Sequence, residues 1–350
     1  MRHPSSQQLN VIAVILLALL AACSRAGAGP PINAEAPVPK PLRPMVFMAG
    51  YKPQANLPFV AAYLAQRNGL FAEQGLDVTI RHATSGEHLQ LLLAGQVQVT
   101  TAAAESVLKR IADPGVPIRA IALFGQTGDQ AFASLTEAGL SDPKTWEGRT
   151  VGYKLYPGPE YLALLQAAGV DRAKIKEVEV GYDPRILLQG RVDVYPVFAS
   201  NEPDLLRKLG ANVTVTRPAD FGLPSLGLTY ITTEELINRE PELLERFLKA
   251  TLKATAQVVD TPEIGLEAVM GVAPDEDRDH QRQMLLTEIA EAHSAVTRQR
   301  GLGWMTREQW QSLHDSLLQY EALSKPVNPA NAYAPAFLER LYDNGQLRWP

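Results

Sequence analysis

Few groups in this chain are able to do covalent chemistry. There is one cysteine, Cys23, and there are six histidines. A lone thiol rules out a disulfide framework, an iron–sulfur cluster and a Cys-rich zinc site. His3, His280 and His314 fall in terminal or helical segments, and His82 and His88 read as surface or helix-capping residues. No His-Glu-x-x-His stretch, phosphate-cradling Walker loop, Gly-x-Ser-x-Gly elbow or strand-linked Gly-x-Gly-x-x-Gly is present. Asp275, Asp277 and Asp279 have the spacing of the first ligands of a calcium loop. His280 and Leu286 stand where that loop needs its glycine and its bidentate glutamate, so a solvated acidic loop is expected instead. The Asn212-Val213-Thr214 sequon has no expected role. No nucleophile is paired with a base, and no catalytic residue and no metal site is expected.

The remaining chemistry is recognition. Tyr, Phe, Asn and Glu residues gather where predicted strands end, and in open α/β sheets ligands bind beyond the carboxyl ends of the strands. The candidate ligand-binding residues are Tyr51, Asn56, Phe59, Glu87, Glu105, Tyr153, Glu160, Tyr195, Asn201 and Tyr230. Tyr156 and Phe198 lie in the same loops. Aromatic faces from two sides can sandwich a flat ring while Asn, Glu and backbone groups read its edge. Glu105 and Glu160 also stand at helix starts, where the dipole favours a carboxylate. These loops hold Lys52 and no Arg, a poor match to a small sulfonate or similar anion.

The elements that must position these residues follow from periodicity. Strands are expected at 45–49, 76–81, 97–100 and 118–124, with helices at 58–66, from the Thr84–Glu87 capping box, and at 103–112. The pattern recurs with strands at 149–153, 175–180, 192–195 and 212–216 and helices at 158–168, 183–189 and 201–209. Leu93-Ala94-Gly95-Gln96-Val97-Gln98-Val99 and Leu188-Gln189-Gly190-Arg191-Val192-Asp193-Val194 share an L-x-G-x-V-x-V skeleton. One helix–Gly–strand unit therefore occurs twice, which predicts two similar α/β lobes with mostly parallel sheets flanked by helices. After Thr232 helices follow one another, at about 241–252, 278–299, 306–323 and 335–342. A helical tail without strands must pack on a lobe already formed. The expected organisation is lobe 1 from 45–133, lobe 2 from 134–226, and a return to lobe 1 over 227–350.

A chain of 350 residues with 46% hydrophobic residues has room for two full cores. Its net charge of −5 argues against a nucleic-acid partner, which calls for a basic surface. The apolar run Val11–Ala22, preceded by Arg2 and His3, is too short to span a bilayer and fits a secretory signal peptide. Leu20-Ala21-Ala22-Cys23 resembles a bacterial lipobox. It implies removal of residues 1–22 and a diacylglyceryl thioether on Cys23, with the new amine acylated by a palmitate-type chain. Two or more acyl chains give stable anchoring, here on the extracytoplasmic side of the cell membrane. Six prolines between Pro30 and Pro44 make 23–44 an extended tether.

Arg67-Asn68-Gly69-Leu70-Phe71-Ala72-Glu73-Gln74-Gly75-Leu76-Asp77-Val78 resembles the "G-[YL]-F-x-x-x-G-L-D-V" stretch of the ABC-importer substrate-binding proteins for thiamine precursors, alkylsulfonates and related solutes. The two Leu-x-Gly-x-Val units and Trp146–Gly152 are similar to further stretches of that family. Gln98 departs from the family's usual Asp, and Asn56-Leu57-Pro58-Phe59 departs from the polar Asn-x-x-His of pyrimidine binders. The resemblance implies a type II periplasmic-binding-protein fold with a hinge between its lobes. It also implies transport rather than catalysis, an ABC permease with its ATPase as partner, a monomer, and no cofactor. Val180–Pro184 and Val192–Phe198 are similar to the riboflavin-binding branch, which implies riboflavin, or a similar flat heteroaromatic, as the transported ligand. The alternative is a thiamine pyrimidine precursor of the formylaminopyrimidine type or another small aromatic or sulfonate solute, and a membrane-tethered sensory module is a further class. The related pyrimidine synthases depend on a Cys-rich stretch that this chain does not have.

Overall fold

The computed structural model describes residues 41–154 and 157–350. The signal segment, Cys23, the tether up to residue 40 and Tyr156 lie outside the described residues. The first sheet contains β1 (Arg43–Ala49), β2 (Leu76–His82), β3 (Val99–Ala103), β4 (Ile118–Leu123) and β10 (Leu228–Thr233), in the order β2-β1-β3-β10-β4. The second contains β5 (Gln130–Leu135), β6 (Thr150–Tyr153), β7 (Lys176–Glu179), β8 (Val194–Phe198) and β9 (Val213–Thr216), in the order β7-β6-β8-β5-β9. The two orders are one pattern used twice. Four strands share one direction, and the fourth position in each order is filled by an antiparallel strand that comes from next to an interlobe crossing.

Those antiparallel strands, β5 and β10, are absent from the sequence reading. β10 pairs antiparallel with β3 and β4, and β5 with β8 and β9. Each sheet is thus mostly parallel, as the sequence predicts, with one antiparallel strand. The run Leu228-Thr229-Tyr230-Ile231-Thr232 is rich in β-branched and aromatic residues, the composition of a strand buried on both faces. β3 begins at Val99 rather than Val97, because Gln98 reaches back to β1 with its side chain.

Helices cover both sheets. α1 (Leu57–Arg67) starts with Pro58 in its first turn and stops before Gly69, whose φ of +73° suits glycine. It is followed by the single turn α2 (Leu70–Glu73) and by α3 (His88–Leu93) and α4 (Ala104–Ala112). In the second lobe stand α5 (Pro159–Ala167), α6 (Arg185–Leu188) and α7 (Glu202–Lys208). The tail supplies α8 (Glu234–Arg239), α9 (Pro241–Asp260), α10 (Pro262–Val272), α11 (Arg278–Glu291), α12 (Ala295–Arg300), α13 (Arg307–Gln319) and α14 (Ala336–Leu341). The expected helix over 278–299 is two helices. Ser294 and Thr297 form a reciprocal capping box that starts α12 afresh.

One core joins residues between Met45 and Phe124 to residues between Leu226 and Tyr342. Two smaller clusters between Ala131 and Val213 fill the second lobe. At the centre of the large core Tyr230 packs on Phe124, Phe247 and Phe47, with ring centroids 4.6, 5.2 and 5.4 Å apart. Such pairs contribute about 0.5–1.5 kcal/mol each beyond area burial. Two chain crossings link the sheets, and they touch at Gly125 and Gly227. Gly227 N donates to Gly125 O at 2.8 Å, and a Cβ on Gly125 would stand 2.7 Å from Gly227 Cα. Only two glycines allow this approach.

Candidate functional site

Between the two sheets lies a cleft of about 620 Å³, inside the range of about 300–1,000 Å³ usual for small-molecule sites. Lobe 1 contributes Tyr51, Asn56 and Phe59 from the loop after β1 and the start of α1, and Glu105 from the start of α4. Lobe 2 contributes Glu160, Tyr182, Phe198, Asn201 and Glu202. Asp129 comes from a crossing, and Met284, Glu288 and Glu291 come from one face of α11.

Six of the ten candidates thus meet on the cleft: Tyr51, Asn56, Phe59, Glu105, Glu160 and Asn201. The other four are not on its wall. Glu87 folds back on its own loop, and its carboxylate accepts from Ser85 N at 2.8 Å and from Thr84 N at 3.1 Å. These backbone donors hold its pKa down at about 2. Tyr153 is partly buried at the end of β6. Tyr195 is wholly buried, and its hydroxyl donates to Gly181 O at 2.8 Å. Tyr230 is a core residue whose hydroxyl donates to Pro58 O. Both tyrosines sit inside strands, Tyr195 second in β8 and Tyr230 third in β10, rather than in the loops beyond them. In lobe 2 the rings on the cleft are Tyr182 and Phe198, 68% and 39% exposed. His88 also lines the cleft, with its Nδ1 buried and unpartnered. Burial, then Arg110, lowers its pKa. His82 is instead bonded to the Tyr63 hydroxyl at 2.7 Å.

The walls are rich in carboxylates, each held differently. Glu105 pairs through Oε1 with Lys109 at 3.4 Å, while Oε2 is buried without a partner. Glu202 is 4% exposed, accepting from Lys154 Nζ and Phe198 N, both at 2.7 Å. Lys154 Nζ in turn lies 5.2–5.4 Å from the ring centres of Tyr182, Tyr195 and Phe198, which fixes those rings by cation–π attraction. Asp129 accepts from Ser200 N at 2.8 Å and Ser200 Oγ at 2.6 Å. Glu288 accepts from Asn56 Nδ2 at 2.6 Å and Leu57 N at 3.2 Å. Glu291 pairs with Arg217 at 2.6 Å. Burial first, then the neighbouring carboxylates, raises the pKa of Asp129 and Glu288. Burial also raises that of Glu291, against the pull of Arg217. Sequence reasoning missed this group because Asp129 lies on a crossing and the glutamates lie on a helix read only as packing. The i, i+3 spacing of Glu288 and Glu291 puts both on one face of that helix.

Two lobes with matching mixed sheets, joined by crossing segments around a deep cleft, define the periplasmic-binding-protein fold. The chain belongs to the NMT1/THI5-like family, whose model matches residues 56–264. It is 27% identical over 344 residues to the riboflavin-binding protein RibY of Chloroflexus aurantiacus, covering 93% of this chain and 96% of that one. It is 25% identical over 285 residues to the formylaminopyrimidine-binding protein of Halalkalibacterium halodurans, covering 78% and 84%. The fold is shared with the crystal structure of the periplasmic aliphatic sulphonate-binding protein SsuA from Escherichia coli. That match has a TM-score of 0.63 at 12% identity over 88% of this chain and 96% of SsuA.

Proposed function

We propose that this chain is the lipid-anchored, extracytoplasmic binding component of an ABC importer, and that its cleft captures riboflavin and delivers it to the permease. The observation that carries the ligand is the supply of accessible rings by both lobes, Tyr51 from one and Tyr182 and Phe198 from the other, on carboxylate-rich walls. Arg110 is the one Lys or Arg among the described residues lining the cleft. A flat, neutral, donor-bearing ring system suits that wall. An anion suits it less, because the wall carries several carboxylates against one Arg, and like-charge juxtaposition costs several kcal/mol. The likeness to RibY over nearly the whole chain supports the same reading.

In this reading Tyr51, Asn56, Phe59, Glu105, Glu160 and Asn201 contact ligand, the protein acts as a monomer, and the lobes divide at about 133/134 and 226/227. Residues 1–22 are removed and Cys23 carries the lipid. Among the described residues no helix is long and apolar enough to cross a membrane, so attachment would rest on that anchor. Titration calorimetry tests the ligand. Tight riboflavin binding with weak binding of its 5′-phosphate is expected. Binding of a formylaminopyrimidine without riboflavin would move the assignment to the solute named for the Halalkalibacterium halodurans relative. Fatty-acid labelling tests the anchor, and label on a Cys23→Ala protein would refute it.

A further inference from the structure

The cleft changes character from front to back. Its accessible rings, Tyr51, Tyr182 and Phe198, stand on the exposed rim. Its back is the side closed by the two crossings, and there the wall is made by Asp129, Glu288 and Glu291. Asp129 follows Gly125 on the first crossing. Gln126 N of the same crossing donates to Glu291 O at 2.8 Å and ties the end of α11 to it. Glu288 and Glu291 are only 7% and 8% exposed, although both line the cleft.

These three side chains have hydrogen-bonding capacity that the protein leaves unused. A carboxylate offers roughly four lone-pair positions. Asp129 takes two donors, both from Ser200, and Glu288 takes two, from Asn56 and Leu57. Glu291 takes Arg217 on Oε1, and its Oε2 has no hydrogen-bond partner among the described residues. Buried polar groups are costly to leave unpaired once water is expelled, so whatever fills the back of the cleft must bring partners. Burial, and then the neighbouring carboxylates, keeps protons on Asp129 and Glu288 above the usual carboxylate range. The wall therefore presents O–H donors as well as acceptors. A hydroxyl has the same double character. The edge of an isoalloxazine is mostly acceptors with a single N–H, and an ammonium only donates. A chain of hydroxyls matches both sides of the wall's chemistry.

We infer that Asp129, Glu288 and Glu291 form a polyol subsite, so that riboflavin enters chain first, with its ribityl hydroxyls at the back of the cleft and its ring among Tyr51, Tyr182 and Phe198 at the rim. The inference rests on the riboflavin reading and adds to it the orientation of the ligand and the residues that set its specificity. It also gives a cause for weak binding of the 5′-phosphate. The phosphate sits at the far end of the chain and would arrive among carboxylates, where Arg217 is already paired with Glu291.

The test sets two ligands with the same ring against each other: riboflavin, and lumiflavin, which carries a methyl group in place of the chain. Titration of the full chain should show riboflavin binding about tenfold or more tightly than lumiflavin, the worth of one or two hydrogen bonds to charged groups. Asp129→Asn and Glu291→Gln keep the size of the side chain and remove its charge. Each should lower that preference about five- to tenfold, with most of the loss on the riboflavin side. Each should also narrow the gap between riboflavin and its 5′-phosphate, because a like charge has gone. A merely structural role would weaken both flavins together and leave these ratios alone, and thermal unfolding of each variant confirms that it folds. A parent that binds the two flavins equally would overturn the orientation while leaving the riboflavin assignment standing. So would folded variants that lose both flavins to the same extent. Binding of neither flavin would sink the assignment and the orientation with it.

Discussion

Gln98 and Asp193 hold the same place in the two lobes and make the same bond. Gln98 Oε1 accepts from Val46 N of β1 at 2.8 Å, and Asp193 Oδ2 accepts from Thr150 N of β6 at 2.8 Å. Each follows a left-handed glycine, Gly95 with φ +70° and Gly190 with φ +65°, that ends a helix. Each backbone N–H also bonds across, Gln98 N to Val46 O and Asp193 N to Thr150 O. The departure from the family's usual Asp at Gln98 therefore keeps the function of the side chain. Its longer amide uses the extra donor on Gly95 O at 3.1 Å.

Gln98→Ala and Asp193→Ala should each leave a strand N–H without its partner. The expected loss is about 1–3 kcal/mol per variant, read as a lower urea midpoint. Gln98→Asp should lose less than Gln98→Ala, because a carboxylate at that position can still accept from Val46 N. Equal losses for the two would contradict a shared role for positions 98 and 193.

The carboxylates of the cleft predict how stability depends on pH. Burial raises the pKa of Asp129 and Glu288, so the folded chain keeps protons that the unfolded chain releases above about pH 4. Where the folded state binds more protons, stability falls as pH rises. Thermal unfolding should therefore move to lower temperature as pH climbs from about 5 through neutrality, and Glu288→Gln should flatten that slope. Carboxylates with lowered pKa, such as Glu177 beside Arg172, act the other way, but only below their unfolded range of about 4. A midpoint that rises across the neutral range would refute the assignment of buried protons to this group.

The parts of the fold built from local pattern were legible in the sequence. The parallel strands, the first-turn prolines and the paired helix–Gly–strand units all rest on short-range periodicity. β5 and β10 were not legible, because the strands each pairs with lie far away in sequence, and nothing local distinguishes a crossing from a loop. The site divided in the same way. Asn56, Glu105, Glu160 and Asn201 stand at helix starts that the sequence marks. Asp129, Glu288 and Glu291 reach the cleft only because α11 and the crossings are folded against it. Tyr195 and Tyr230 have the right residue type, but their strands turn them into the cores.

Gly125 and Gly227 make a prediction about motion. Lobes that swing about two crossing strands need those strands to stay in contact. A Cβ on Gly227 would stand 2.9 Å from Gly125 Cα, against backbone that cannot rotate away. Gly227→Ala should cost about 1–3 kcal/mol, as overpacking does. It should also shift the distance between dyes placed one on each lobe, whereas Gly181→Ala, which meets nothing within 4 Å, should change neither. An unchanged interlobe distance in Gly227→Ala would argue against the crossing as the hinge.

The division of the aromatic residues gives the last prediction. Tyr182 and Phe198 present exposed rings to the cleft, held in place by Lys154, whereas Tyr195 and Tyr230 are 0% exposed. Tyr182→Ala and Phe198→Ala should each lower riboflavin affinity by about ten- to a hundredfold, the loss of on the order of 1–3 kcal/mol of stacking and burial, with little change in unfolding temperature. Tyr230→Ala should do the reverse. Removing a buried ring from among Phe47, Phe124 and Phe247 leaves a cavity, at a cost of about 3–5 kcal/mol. Tyr230→Phe, which keeps the ring and loses only the bond to Pro58 O, should cost far less and leave binding intact. Lys154→Met should lower affinity without touching the ligand, by freeing Tyr182 and Phe198 from the ammonium and leaving Glu202 buried without its partner. Calorimetry and thermal unfolding on the same five proteins separate the two effects. A Tyr182→Ala protein that binds as the parent does would remove the ring sandwich as the basis of recognition.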